Sequence, residues 1–397
     1  MAPDMETFAA EVRTWLKSVA SPLTETVYGS GSDSVAVFEN WTAKEEKTHT
    51  AEIQAYEQAK FDAGWGALTW SAEYGGRDLP VAYLLAFRRV EAEFDVPKRT
   101  EMFPVTQQLI APTIAQWGTP EQRATYVKAM VRTDLIACQL FSETEAGSDL
   151  AAVRTKAVEA DGRWTVNGHK VWTSGARVAD FGLALCRTDP DVAKHAGLTM
   201  FIVPMNAPGI TVRPIRQMTG GSSFNEVYLD NVELDDSYRL GPVCQGWKVA
   251  LTVLAAERLD SGNLGLENAD AAVELARHSN HPLTDLDRDR VADMVTRSYV
   301  QRLTGMRVLA AVVAGKDPGP EASVGKLLAT DTMARVSEVV RLLLGPRLAA
   351  DSGQWGTWAW TEHILGAPGY RIAGGTDEIQ HNILSERVLG LPREPRP

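Results

Sequence analysis

The chain has 397 residues, 44% hydrophobic and 23% charged, which fits a globular protein with room for roughly two or three domains and not a disordered or fibrous one. The net charge of −11, with no basic block, argues against a nucleic-acid partner. No run of about 18 apolar residues is present to make a membrane span, and the three widely spaced cysteines Cys138, Cys186 and Cys244 point to reduced thiols in a cytoplasmic protein.

The acidic start, Met1 to Glu6, has no basic stretch leading into an apolar core, so no secretory signal is expected. Phe8, Val12, Trp15, Leu16 and Val19 then recur at helical spacing until Ser21-Pro22. A Gly/Ser-rich loop spans Gly29 to Ser34, and a long polar helix is predicted from Thr42 to Ala63, stopped by Gly64-Trp65-Gly66. Leu79-Pro80 opens a helix through about Phe94, with proline in the favoured first turn. Pro104 to Trp117 is the next. Thr119-Pro120-Glu121-Gln122 carries a capping-box pattern for a further helix to about Arg132.

From about Ile136 to Leu234 the helical repeat gives way to alternation and turn signals. Strands are predicted at Val153 to Val158, Phe181 to Cys186, Thr199 to Val203, Ile210 to Ile215 and Glu226 to Leu234. Asp161-Gly162 and Asn167-Gly168 both read as hairpin turns, with Trp164 and Val166 on one face between them. Helical spacing resumes at Gly246-Trp247 and runs through Leu264 and Leu266 to Ala276. Further helices are predicted at Thr284 to Ala314, Pro320 to Leu344 and Asp377 to Leu389. The α–β–α order predicts an α+β protein. It has an N-terminal helical domain (1–135), a small central β-barrel or sandwich (136–241) and a C-terminal four-helix bundle (242–397).

Several chemistries are absent from the sequence. No Gly-x-Gly-x-x-Gly follows a strand, and no Gly-x-Ser-x-Gly elbow occurs. Gly319 to Lys326 imitates a P-loop with one residue too many between its glycines. His278-x-x-His281 lacks a partner at metal spacing, so no metal site is expected. What remains is polar and small-residued. Gln139 to Asp149 lies where helices give way to strands, as a linker or a ligand-binding loop would. Asn167 to Gly175 places Trp172 two residues from Ser174, on one strand face. A broad planar ligand such as a flavin fits against that indole, with Ser142 and Ser174 at its polar edge. A tryptophan capping a barrel end fits the same pattern.

Three stretches resemble a known family. Gln139-Leu140-Phe141-Ser142-Glu143-x-x-Ala146-Gly147-Ser148-Asp149 resembles the Thr/Ser-Glu-Pro-x-Ala-Gly-Ser-Asp signature of acyl-CoA dehydrogenases. Asn167-Gly168-x-Lys170-x-Trp172-x-Ser174 is similar to that family's Asn-Gly-x-Lys-x-Trp-Ile-Thr stretch. Gly374-Gly375-Thr376-Asp377-Glu378-Ile379-Gln380, with Glu386 to Pro392 after it, resembles the C-terminal signature of its bacterial members. The resemblance implies FAD and α,β-dehydrogenation of an acyl-CoA thioester, with electrons passed to an electron-transfer flavoprotein. It implies that Gln139, Phe141 and Ser142 border the flavin, that Trp172 and Ser174 cover it and hydrogen-bond to it, and that Ser148 lies near the acyl-CoA. Thr376 and Glu378 would approach the phosphate and ribose region, while Arg277 and Ser279 would reach the pyrophosphate of FAD in a neighbouring subunit. The expected assembly is a homo-oligomer (dimer or tetramer) or a heterotetramer with another family member.

The departures shape the expectation. Thr144-Glu145 replaces the family's Pro-x after the glutamate, which loosens the turn. Arg277-His278-Ser279-Asn280-His281 lacks the family's Phe and Gly. Gly374 stands where many members carry the catalytic glutamate, and glycine takes no proton. Other members carry the base in a Glu-Arg pair on the first long C-terminal helix, where Glu257-Arg258 lies. Glu257 is therefore the expected base, with Arg258 beside it toward the substrate; Glu257 as a surface residue paired with Arg258 is the plain alternative. Two other functions stay open: a non-catalytic FAD-sharing partner subunit, and an oxidase or monooxygenase on the same scaffold. Gly262 and Gly265 would either widen an acyl pocket or allow close helix packing.

Overall fold

The structure, a computed structural model, describes residues 3–24, 35–38, 40–260, 265–279, 282–316, 319–350 and 357–393, without the side chains of 257–260 and 357–359. The chain divides into two compact units. One comprises Met1–Thr24, Trp41–Gln217 and Ser222–Ala256; the other comprises Glu25–Asn40, Met218–Gly221 and Glu257–Pro397.

In the first unit, Asp4 caps the helix Met5–Val19 by accepting from the N–H groups of Glu6 and Thr7, and Phe8, Val12 and Leu16 form its buried stripe. Thr42 and Glu45 form a capping box for Ala43–Asp62. The helix Val81–Glu91 stops short of the predicted Phe94. There Phe94–Asp95 (β2) pairs instead with Ser21–Pro22 (β1), giving both chain reversals backbone partners. The predicted Thr119–Gln122 box is present: Gln122 N–H donates to Thr119 Oγ1 at 3.2 Å and Thr119 N–H to Gln122 Oε1 at 3.0 Å. Gln122 Nε2 also donates to the carbonyls of Ser237 and Arg239, at 2.7 and 2.9 Å, tying this helix start to the strands.

The strands are β3 Ala137–Leu140, β4 Lys156–Ala160, β5 Arg163–Ser174, β6 Phe181–Arg187, β7 Leu198–Pro204, β8 Ile210–Ile215, β9 Phe224–Asp235 and β10 Arg239–Leu240. They form one sheet in the order β10-β7-β6-β4-β5-β9-β8, with β3 parallel on β6. The sheet is buried on two sides. Leu183 and Leu185 of β6 and Met200 and Ile202 of β7 pack with Ile114, Val127 and Met130 of the helices. Ala184, Cys186, Phe201 and Val203, which alternate with them, meet Trp164, Val166, Val227 and Leu229 in a second core between strands. This explains why β6 and β7 read as continuous apolar runs. Cys138 and Cys186 are buried free thiols pushed up to about 12 by burial, and Cys244 is also free.

Asp161-Gly162 is the hairpin turn expected, with φ values of 52° and 76°. Asn167-Gly168 is not a turn. β5 runs straight through it, with a register shift between Val166 and Gly168. A Cβ on Gly168 would lie 2.2 Å from Thr155 Oγ1, so this glycine admits a neighbouring side chain where a turn was expected.

In the second unit, Asp285–Val313 and Ser323–Leu344 pack along each other, and Leu266–His278 and Thr357–Tyr370 pack on Ser323–Leu344. Thr357–Tyr370 was not expected from the sequence. The predicted run from Gly246 to Ala276 is two helices, Gly246–Asp260 and Leu266–His278, the second preceded by Gly265 at φ 78°. A Cβ on Gly265 would meet Met333 Cγ at 2.7 Å, so its role here is close packing; Gly262 lies outside the described residues. The core of this unit gathers Ala272, Leu275, Met294, Val336, Val340 and Trp360.

Candidate functional site

β3 and β4 share one edge of β6. β3 pairs with Phe181–Ala184 and β4 reaches only Arg187, which leaves Leu185 and Cys186 opposite a gap. Residues 141–155 are the excursion over that gap. A break in a buried ladder leaves carbonyls without donors, which is costly. Lys170 fills it. Its Nζ donates to the Leu185 carbonyl at 2.8 Å, the Phe141 carbonyl at 3.0 Å and Glu143 Oε1 at 2.8 Å. Glu143 in turn accepts from the N–H groups of Arg154 at 2.6 Å and Thr155 at 2.9 Å, at the far end of the excursion. One buried ion pair thus closes the loop at both ends. Burial pushes the Glu143 carboxyl up, but Lys170 and these donors outweigh it and hold it below the usual carboxylate range. Burial holds Lys170 below its ordinary value against the opposing pull of Glu143.

Within the loop, Glu143 and Ala146 exchange backbone hydrogen bonds at 3.2 and 3.0 Å. The loosening expected at Thr144-Glu145 is therefore absent: paired backbone bonds close the turn without proline. Glu145 pairs with Arg154 and Asp149 with Lys194, each at 2.7 Å and exposed. Ser148 stands exposed between them.

Val171 N–H donates to the Ser142 carbonyl at 2.9 Å, which brings the loop against β5. Immediately afterwards β5 slips register between Lys170 and Thr173, and Trp172 takes φ 61°. A non-glycine residue held there costs about 1–3 kcal/mol, a device concentrated at ligand sites. The slip turns the Trp172 indole outward, 60% exposed and edge-on to Phe224 with ring centroids 6.2 Å apart. Thr173 turns inward and is buried, and Ser174 is half-buried. The side chains of Gln139, Ser142 and Ser174 and the indole N–H of Trp172 have no hydrogen-bond partner among the described residues. This bank of open donors and acceptors beside a bare aromatic face suits a planar, polar-edged ring such as a flavin. Phe141 differs from its neighbours: its ring is buried in the helix–sheet core, and it offers the loop only its carbonyl.

The remaining predicted residues lie in the second unit. Thr376 caps the helix Asp377–Ile383, its Oγ1 accepting from Ile379 N–H at 3.2 Å. Glu378 is exposed in the first turn, its carboxyl held low by its own backbone N–H and by Thr376. The Gly374-Gly375 turn before it, at φ 65° and 83°, is strapped: Gln380 Nε2 donates to the Gly374 carbonyl at 2.9 Å and Lys326 Nζ to that of Gly375. Arg371 and Thr330 hold Asp377 at 2.8 and 3.0 Å. Arg277 is exposed and paired with Glu274, and Ser279 follows the C-terminal end of Leu266–His278. Glu257 and Arg258 fall in the last turn of Gly246–Asp260, and their side chains lie outside the described residues.

Two residues that hold the loop in place escaped the sequence reading. Glu143 and Lys170 stood in the quoted motifs without a role. Lys170 follows Asn167, Gly168 and His169 in the sequence, so no local signal marks it as buried. No cluster of His, Cys, Asp and Glu suited to a metal occurs among the described residues. No described helix is long and apolar enough to cross a membrane.

Comparison with known proteins decides the family. Residues 3–134, 138–232 and 244–389 match the N-terminal, middle and C-terminal domains of acyl-CoA dehydrogenase. The acyl-CoA dehydrogenase IpdE1 of Mycobacterium tuberculosis is 34% identical over 406 residues, covering 98% of this chain and 99% of the relative. The chain belongs to the acyl-CoA dehydrogenase family. The acyl-CoA dehydrogenase FadE34 of the same organism is 39% identical over 333 residues, but that match spans 84% of this chain and only 45% of FadE34. Among solved structures, the Tcur3481-Tcur3483 steroid ACAD superposes with a TM-score of 0.78 at 23% identity, covering 99% of both chains. The ChsE4-ChsE5 complex of M. tuberculosis does so with a TM-score of 0.75 at 24% identity, again over 99% of both. At those identities the likeness is one of fold.

Proposed function

We propose that this chain is an FAD-dependent acyl-CoA dehydrogenase that introduces an α,β double bond into an acyl-CoA thioester and passes the electrons to an electron-transfer flavoprotein. The observation that carries this reading is the unpartnered set Gln139, Ser142, Trp172 and Ser174 around an outward-turned indole. When bound, FAD supplies the acceptor for the β hydride. The chain's own part is to hold and orient. Trp172 offers a ring face, Ser142 and Ser174 offer hydrogen bonds to a polar edge, and Lys170 and Glu143 keep the loop that carries Ser142 in place. Thr376 and Glu378 are assigned to the phosphate and ribose end, and Arg277 and Ser279 to the pyrophosphate of FAD in an adjoining subunit. Ser148, exposed on the loop, is assigned to the acyl-CoA.

Glu257 is the proposed base for the α proton, with Arg258 on the substrate side. Its support is position: it lies on the first long helix after the sheet, and Gly374 has no side chain to compete for the role.

A second reading, a FAD-sharing subunit of a heteromeric dehydrogenase, is favoured by Gly374 and by the Arg277 to His281 stretch that lacks the family's Phe and Gly. Purification of the full chain alone separates the two. A yellow protein whose flavin bleaches anaerobically with an acyl-CoA supports the first reading. A colourless chain that takes up FAD only with a second family member supports the other. A screen across short, long, branched and steroid-derived CoA thioesters then identifies the acyl group.

A further inference from the structure

A cleft of about 460 Å³, the size of a small-molecule site, opens among the N-terminal helices, lined by none of the residues assigned to FAD, CoA or the base. Its walls are aromatic: Trp65, Trp70, Tyr74 and Phe87. Its floor is ionic. Lys60 donates to Glu57 at 2.6 Å and to Glu91 at 3.1 Å, and Arg99 stands 3.9 Å from Glu57. Glu57 and Lys60 are buried. Two cations face two carboxylates there, so the floor is balanced without any charge from a ligand. Arg88, the remaining charged lining residue, is exposed.

The open hydrogen-bonding groups are neutral. Gln107 Nε2 donates to Glu57 Oε2 at 3.3 Å and to the Val131 carbonyl at 3.0 Å. Two acceptors on one nitrogen fix which end of the amide is which. Gln107 Oε1 is therefore a fixed acceptor, and it has no partner among the described residues. The next residue, Gln108, also lines the cleft, and its amide makes no hydrogen bond within the described residues. Both lie in Val105–Ile110, a π-helical segment, an irregularity frequent at functional sites.

The same stretch of chain leads to the flavin-binding candidates. A Cβ on Gly175, the residue after Ser174, would lie 3.0 Å from Met102 Cβ. Arg99 comes three residues before Met102, at most about 10 Å of chain, and Gln107 belongs to the helical run that Met102 begins.

On the acyl-CoA dehydrogenase reading above, we infer that this cleft receives the far end of the acyl group, and that this end is a ring bearing a hydroxyl that donates to Gln107 Oε1. Aromatic walls suit the faces and edges of a rigid ring. A fixed acceptor takes a hydroxyl, gains nothing from a methylene and repels a carboxylate, which has no proton to donate. Gln108 answers a second ring oxygen, hydroxyl or ketone.

Anaerobic calorimetric titration of the FAD-loaded full chain tests this, using α,β-unsaturated CoA thioesters so that no turnover adds heat. The acyl groups end in cyclohexyl, 4-hydroxycyclohexyl or 4-carboxycyclohexyl, on a series of spacer lengths. At the best spacer the hydroxyl form should bind about tenfold tighter than the plain ring, the return from one hydrogen bond to a waiting acceptor. The carboxyl form should bind no better than the plain ring. Gln107→Met should bring the hydroxyl and plain forms within about twofold of each other. Because that change also takes a donor from Glu57, a second variant is read beside it. Leu84→Trp, which fills the cleft from its wall, should weaken ring-ended thioesters ~10-fold more than it weakens crotonyl-CoA. A hydroxyl form that binds no tighter at any spacer overturns the inference, as does a hydroxyl preference that survives both variants, or a carboxyl form that binds best. Absence of binding by every thioester, crotonyl-CoA included, removes the acyl-CoA reading and the inference with it. Bleaching by the saturated thioesters reports on the dehydrogenase reading separately.

Discussion

Lys170 places its ammonium where a strand should have been, and that substitution sets the local energetics. Methionine at this position would leave the carbonyls of Phe141 and Leu185 and the Glu143 carboxylate without their donor. Lys170→Met should therefore cost ~3–5 kcal/mol in urea unfolding, the range for one partner removed from a buried pair. Glu143 also sets an acid limit. Its folded carboxyl lies below the unfolded value of about 4.3, so its contribution is present at neutral pH and is lost as pH falls through the folded value. Glu143→Gln should be less stable than the wild type at pH 7, and the gap should close at acid pH. A constant difference across that window would contradict the assignment. Trp172 makes the opposite trade. Glycine adopts φ 61° freely, so Trp172→Gly should keep or raise the melting temperature while weakening FAD binding by about tenfold in a fluorescence titration.

At the scale of elements, the Thr119–Gln122 cap both starts a helix and anchors it to the strand end at Ser237 and Arg239. Thr119→Ala should lower stability by ~1 kcal/mol, read as a drop in denaturation midpoint with an unchanged slope. This cap was legible in the sequence because its chemistry lies within four residues. The Asp161-Gly162 turn was legible for the same reason. Asn167-Gly168 carried the same local signal but answers to Thr155, a contact that no local pattern contains. The helix Thr357–Tyr370 was hidden by its own glycines and by Pro368. In the site, Trp172, Ser142 and Ser174 could be named from the motifs. The bulge that exposes the indole, and the lysine that bridges the β6 gap, depend on strand pairings far apart in sequence.

At the scale of the whole molecule, the family match spans all three domains, and IpdE1 matches from end to end. That fixes the scaffold, while the chemistry depends on a carboxylate. With Gly374 unable to act, Glu257 is the proposed acceptor of the α proton. Anaerobic titration of the FAD-loaded chain with an acyl-CoA thioester tests this most directly, comparing wild type with Glu257→Gln. The wild-type flavin should bleach, and the variant should keep its FAD but bleach at least ~1000-fold more slowly, within the range for loss of a positioned base. Equal bleaching in both proteins would contradict it.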